Sequence, residues 1–203
     1  MGNLFNKSQQ NAQPLSERAL LENKYNSSRY NLLLVVIFSL INVLICVFGG
    51  DTYFLFSASL PYYIAFMGAF LGGIMPDEYY FEMGIAKEEL LGTPALVIFA
   101  IIAVVVIAFY FLFWLFSKKK VGWIIAALVF FVIDTVIMLV VFGISIDMIV
   151  DALFHVWVLV SLISGIVNYY KLKKLPEEIK TAPETDDFND GFNYPETPAD
   201  EFN

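Results

Sequence analysis

The chain has 203 residues, of which 59% are hydrophobic, 17% aromatic and only 16% charged, with a formal net charge of −8. A soluble domain is about half apolar with roughly a quarter of its residues charged, so this composition argues against a water-soluble globule. The net charge misleads if read globally, because nine acids fall in the tail after Pro176; nothing in the chain suggests nucleic-acid binding, and the single Cys46 excludes an internal disulfide and a thiolate metal set.

Residues 1–30 are polar and read as a mobile, cytoplasmic amino-terminal tail without a cleavable signal. Within it, Ser16 is a candidate cap for a short helix through Leu20, Leu21 and Tyr25. The first apolar segment is 31–48, with Asn42 as its one strongly polar interior residue and Gly49-Gly50-Asp51 as its break.

Segment 53–75 is uncharged and long enough to span. It nevertheless carries Ser57, Ser59 and Pro61, where a break or kink is expected, and it closes on Gly68, Gly72 and Gly73. The Gly68-x-x-x-Gly72 spacing predicts close helix packing in lipid. Residues 76–93 form an acidic, aromatic loop whose second half is a candidate surface helix. Segment 94–117 is apolar apart from Tyr110, with Thr93 expected as its N-cap and Pro94 as its first helical residue.

Segments 121–143 and 148–170 form an apolar hairpin broken at Gly143–Asp147. Each arm exceeds 20 residues, enough to cross a bilayer core at about 1.5 Å per residue. Lys118–Lys120 precede the hairpin and Lys171, Lys173 and Lys174 follow it, with Trp114, Trp123, Tyr169 and Tyr170 placed as interfacial aromatics. Residues 175–203 hold four prolines and nine acids, a composition that predicts a disordered tail.

Lys- and Arg-rich short loops stay cytoplasmic. Putting the lysine triplet inside leaves only Lys87, of the twelve basic residues, outside. Both termini are then cytoplasmic, and 31–75 must cross an odd number of times. Four spans with 53–75 dipping in and out around Pro61 is the preferred solution. Five spans with an external amino terminus is the other.

Asp134 lies nine residues before Gly143, and His155 eight residues after Asp147. On antiparallel helices they share one depth, about 12 Å below the outer end by helical rise. Asp151 is one turn above His155. Ionisable groups inside a membrane point to a proton relay, an ion site or an acid/base pair. The plainer alternative is an inter-helix hydrogen bond that fixes the hairpin register. No metal or cofactor site is expected, because one His and two Asp make a thin ligand set. Ser161, Ser164, Gly165 and Asn168 form a small-polar stripe that reads as a helix-packing seam. No G-x-S-x-G, G-x-x-x-x-G-K-[ST] or H-E-x-x-H pattern occurs.

The runs Asn26–Leu34 (NSSRYNLLL), Gly49–Tyr63 (GGDTYFLFSASLPYY), Phe142–His155 (FGISIDMIVDALFH) and Tyr170–Glu178 (YKLKKLPEE) resemble those of a group of small uncharacterised bacterial polytopic membrane proteins. The resemblance covers most of 26–178, carries no known activity, and implies a bacterial inner membrane.

The expected fold is an all-α integral membrane protein of four to five transmembrane helices in the region 31–174, with a disordered acidic tail. The expected role is a non-enzymatic accessory or scaffold component in a cell membrane. Its expected partners are the lipid bilayer and either another membrane protein or a second copy of the chain. The alternative is a small transporter or channel component with an ion or proton path through Asp134, Asp151 and His155.

Overall fold

The computed structural model describes residues 16–50, 52–143 and 149–176, which are helical without strands among the described residues. In chain order these are α1 (Glu17–Val47), α2 (Ser59–Leu71), α3 (Asp77–Met83), a 3-10 turn (Lys87–Glu89), α4 (Thr93–Ser117), α5 (Gly122–Phe142) and α6 (Ile149–Lys174). α1, α4, α5 and α6 are long and apolar enough to cross a membrane. The apolar α2 has 13 residues, about 20 Å by rise against a core of about 30 Å, so it does not cross. The expected acidic tail and the Asp147 turn lie outside the described residues.

The first helix starts at Glu17, well before the apolar run at 31. Ser16 accepts a hydrogen bond from the Ala19 N–H at 3.2 Å, a side-chain N-cap. No Gly or Pro interrupts the helix from there to Val47. What reads as a tail from residue 16 onward is therefore the first turns of α1. Packing holds it, with Leu21 and Tyr25 both buried.

Tyr25 donates its hydroxyl to the Ser117 carbonyl at 2.6 Å, and Arg29 Nε donates to Ser117 Oγ at 2.9 Å. These groups meet the carbonyl end of α4, where partial negative charge accumulates. α1 and α4 are thereby fixed antiparallel. Arg18 bonds the Pro176 carbonyl just past α6, so α6 also runs against α1. One end of the bundle thus collects every Lys and Arg of the described residues except Lys87.

α4 begins one residue away from the expected arrangement. Gly92 is the cap, at φ +70°, and Thr93 and Pro94 occupy the first turn. A positive φ is costly for a residue with a Cβ, so Gly rather than Thr takes the cap. The loop before it is helical in its first half (α3), and the expected surface helix of its second half is only the 3-10 turn. Tyr80 anchors this loop: it is buried, stacks on Phe70, and donates to the Phe70 carbonyl at 2.9 Å.

Every third or fourth residue of α1 is buried, from Leu21 through Leu32, Val35, Ser39 and Asn42 to Cys46. This stripe faces the other helices. Gly68 and Gly72 of α2 lie against α4. A Cβ at Gly68 would come within 2.5 Å of Phe99 Cβ, and one at Gly72 within 2.9 Å of Leu96 Cβ. Large apolar side chains such as Ile101, Val105, Phe109, Val136 and Val160 point outward, an arrangement suited to lipid rather than water.

Candidate functional site

After α1 the chain doubles back along it. The Asn42 side chain accepts from the Phe54 N–H at 2.8 Å, and its Nδ2 donates to the Phe54 carbonyl and to Ser57 Oγ, each at 2.8 Å. One turn nearer the lysine end, Ser39 Oγ accepts from the Ala58 N–H at 2.8 Å. Residues 52–58 thus descend beside α1 to the level of Ser39, about 12 Å from the end of α1 by helical rise. α2 then climbs back. A Cβ at Gly49 would lie 3.8 Å from the Ile74 carbonyl oxygen, so the chain has returned to the level it left.

The turn falls at residues 55–58 rather than at the expected Pro61. Phe56 has φ +68°, a conformation rare for a residue with a Cβ. Its ring sits 3.7 Å from Phe154 and 5.5 Å from Trp157, centroid to centroid, and this packing holds the backbone in place. Pro61 is the third residue of α2. A helix's first turn makes no intrahelical use of its N–H groups, so a proline there removes no bond.

The amino terminus of α2 lies buried inside the bundle, where each free N–H would cost several kcal/mol. All of them have partners. Ala58 N–H donates to Ser39. Ser59 N–H donates to Asp134 Oδ2 at 3.0 Å, and Leu60 N–H to Asp134 Oδ1 at 2.7 Å. Pro61 has no N–H. Asp134, 1% exposed on α5, therefore caps a helix that begins 75 residues earlier. Its negative charge also faces the positive end of the α2 dipole.

His155 completes the site from α6. Its Nε2 lies 3.2 Å from Asp134 Oδ2 and 3.3 Å from Ser59 Oγ, and its Nδ1 lies 3.0 Å from the Asp151 carbonyl. A carbonyl can only accept, so Nδ1 carries a proton. Nε2 is then the ring nitrogen that meets both Asp134 Oδ2 and Ser59 Oγ. The Phe131 ring stacks over the imidazole at 5.0 Å. Asp134 and His155 are both nearly inaccessible.

Asp134 and His155 thus meet at the shared depth that their spacing predicts. Asp151 contributes its backbone carbonyl to His155. Its carboxylate is half-buried and interacts electrostatically with His155, Tyr53 and Tyr63. The fully buried Tyr110 hydroxyl has no hydrogen-bond partner. Among the described residues, no three His, Cys, Asp or Glu side chains are grouped to hold a metal.

The small-polar stripe of α6 faces α1. Asn31 Nδ2 donates to Ser161 Oγ at 2.7 Å, Asn168 Nδ2 donates to Ser164 Oγ at 3.1 Å, and a Cβ at Gly165 would meet Ser28 Oγ at 2.3 Å. What sequence reasoning missed is the partner of Asp134, since a backbone N–H has no signature of its own. The available signal was Ser57-Ala-Ser-Leu-Pro61, because a proline fits a helix in its first turn and so implies a helix start close to it. Comparison with protein-family models, with curated proteins and with solved structures finds no match to this chain.

Proposed function

We propose that this chain is a non-enzymatic accessory or scaffold component of a bacterial cell membrane, with both termini cytoplasmic, that binds other membrane proteins or a second copy of itself. One observation carries the reading. Both oxygens of Asp134 and Nε2 of His155 are engaged at the start of α2, and Nδ1 is engaged by the Asp151 carbonyl of its own helix. The most conspicuous ionisable groups in the bundle therefore serve the fold, which leaves the surfaces to do the work. The gathering of basic residues at one end supports the orientation, and the resemblance of the Gly49–Tyr63 and Phe142–His155 runs supports a bacterial membrane.

Two measurements test this. Cross-linking in cells followed by purification should recover a stoichiometric partner or homo-oligomer. Proteoliposomes under a pH gradient should pass no more protons than empty ones. Recovery of monomer alone would remove the proposal.

A second reading has its own support, the 3.2 Å approach of Nε2 to Oδ2 and the buried, unpartnered Tyr110 hydroxyl. A proton path from Asp151 through His155 and Asp134 predicts pH-driven flux that Asp134→Asn abolishes in a protein that still folds.

A further inference from the structure

At the lysine end, between α1 and α6, lies a groove of about 370 Å³, within the roughly 300–1,000 Å³ of small-ligand sites. Lys24 and Ser28 of α1 and Ser164, Asn168 and Lys171 of α6 line it, and no carboxylate does. Neither lysine has an ion-pair partner among the described residues. The nearby Glu22 is held by Arg18 at 3.5 Å. Ser28 Oγ is buried and makes no hydrogen bond. Ser164 accepts from Asn168 and keeps its own hydroxyl proton to donate.

Two ammonium groups and unengaged hydroxyls, with no anion built in, are the donor set of an anion site. The groove opens on the outside of the bundle. Val160, Ile163 and Val167 of α6 are exposed along the same helix, and they give acyl chains an apolar track leading away from the lysines. A basic pocket between membrane helices at the positively charged end suits a lipid phosphate.

We propose that the groove between α1 and α6 binds a phosphate group, from a lipid headgroup or free in solution, between the ammonium groups of Lys24 and Lys171. The site stands independently of the scaffold reading, because it uses none of the residues that hold α2.

The test uses the full chain in maltoside micelles, titrated separately with short-chain phosphatidylglycerol and with inorganic phosphate. The rise in thermal midpoint gives an apparent affinity. Lys24→Gln/Lys171→Gln should weaken binding about tenfold, since charge-assisted hydrogen bonds are lost. Lys119→Gln/Lys120→Gln, at the same end but outside the groove, should change it by less than about twofold. Ser28→Ala should weaken binding severalfold without lowering the midpoint in the absence of ligand, because that buried hydroxyl bonds nothing in the free protein. A response to phosphatidylglycerol alone assigns a headgroup. A response to both ligands assigns free phosphate. No response to either, or equal weakening by the two lysine pairs, overturns the site.

Discussion

Asp134 and Pro61 together complete the amino terminus of α2. The carboxylate takes the N–H groups of Ser59 and Leu60, and the proline ring removes the next donor from the chain. A helix start buried in a bundle needs an acceptor for every donor or fewer donors, and this one has both. Asparagine at 134 keeps one acceptor oxygen and adds an NH2 group that faces a backbone donor. Asp134→Asn should therefore destabilise by about 1–3 kcal/mol, the cost of one unsatisfied buried donor. Asp134→Ala should cost about 3–5 kcal/mol, because it leaves the Ser59 and Leu60 N–H groups and His155 Nε2 without that buried partner. Unfolding in mixed micelles, followed by circular dichroism, measures both. An Asp134→Asn protein as stable as wild type would show that the capping is incidental.

His155 plays the lesser part, since Asp134 keeps its two backbone partners without it. A hydrogen bond between membrane helices averages about 0.6 kcal/mol, and His155→Ala adds a cavity beside Phe131. We expect a loss of about 1–3 kcal/mol, smaller than for Asp134→Ala. The double variant should lose less than the two single losses added, with a coupling of about 0.5–3 kcal/mol. Strict additivity would mean that the 3.2 Å approach contributes nothing.

Much of this architecture can be read from the residues alone, for reasons that differ by element. Segments 94–117, 121–143 and 148–170 lie close to α4, α5 and α6 because unbroken apolar length and flanking lysines are local signals. Asp134 and His155 come together because two antiparallel helices separated by few residues convert sequence distance into depth. The polar residues 16–30 join α1 for a non-local reason: Tyr25 and Arg29 reach the end of α4, some 90 residues away. Residues 53–75 carry the weakest local signal, since hydropathy alone counts them as a span. What makes them turn back is a set of clamps from Ser39, Asn42 and Asp134 to backbone atoms, which leaves little trace beyond a few isolated polar residues.

The seam between α1 and α6 depends on size more than on polarity. A Cβ at Gly165 would fall 2.3 Å from Ser28 Oγ and 2.6 Å from Ser28 Cβ, and rotating the hydroxyl away leaves the Cβ contact in place. Gly165→Ala should destabilise by about 1–3 kcal/mol through overpacking. Ser28→Gly in that background should restore part of the loss by clearing both atoms, whereas Ser28→Gly alone should not stabilise. If Gly165→Ala is neutral, the two helices are free to separate and the seam is loose.

The re-entrant path of residues 52–74 sets the parity of the whole chain. With α2 returning to the end it came from, α1, α4, α5 and α6 are, among the described residues, the helices long and apolar enough to cross, and four crossings would put both termini on one side. That side is the one holding Lys118–Lys120, Lys171, Lys173 and Lys174, and it should be the cytoplasm. Single cysteines at Ser8, Glu82, Lys119 and Glu184, in a Cys46→Ser background, report this when intact cells are treated with an impermeant thiol reagent. Only position 82 should label before lysis, and all four after it. Labelling at both 8 and 82 would demand a fifth crossing within 31–75, which the bonds from Asn42 to Phe54 and from Ser39 to Ala58 forbid. Labelling at 119 or 184 would keep the fold and reverse its orientation, putting the phosphate groove and its lysines on the outer face.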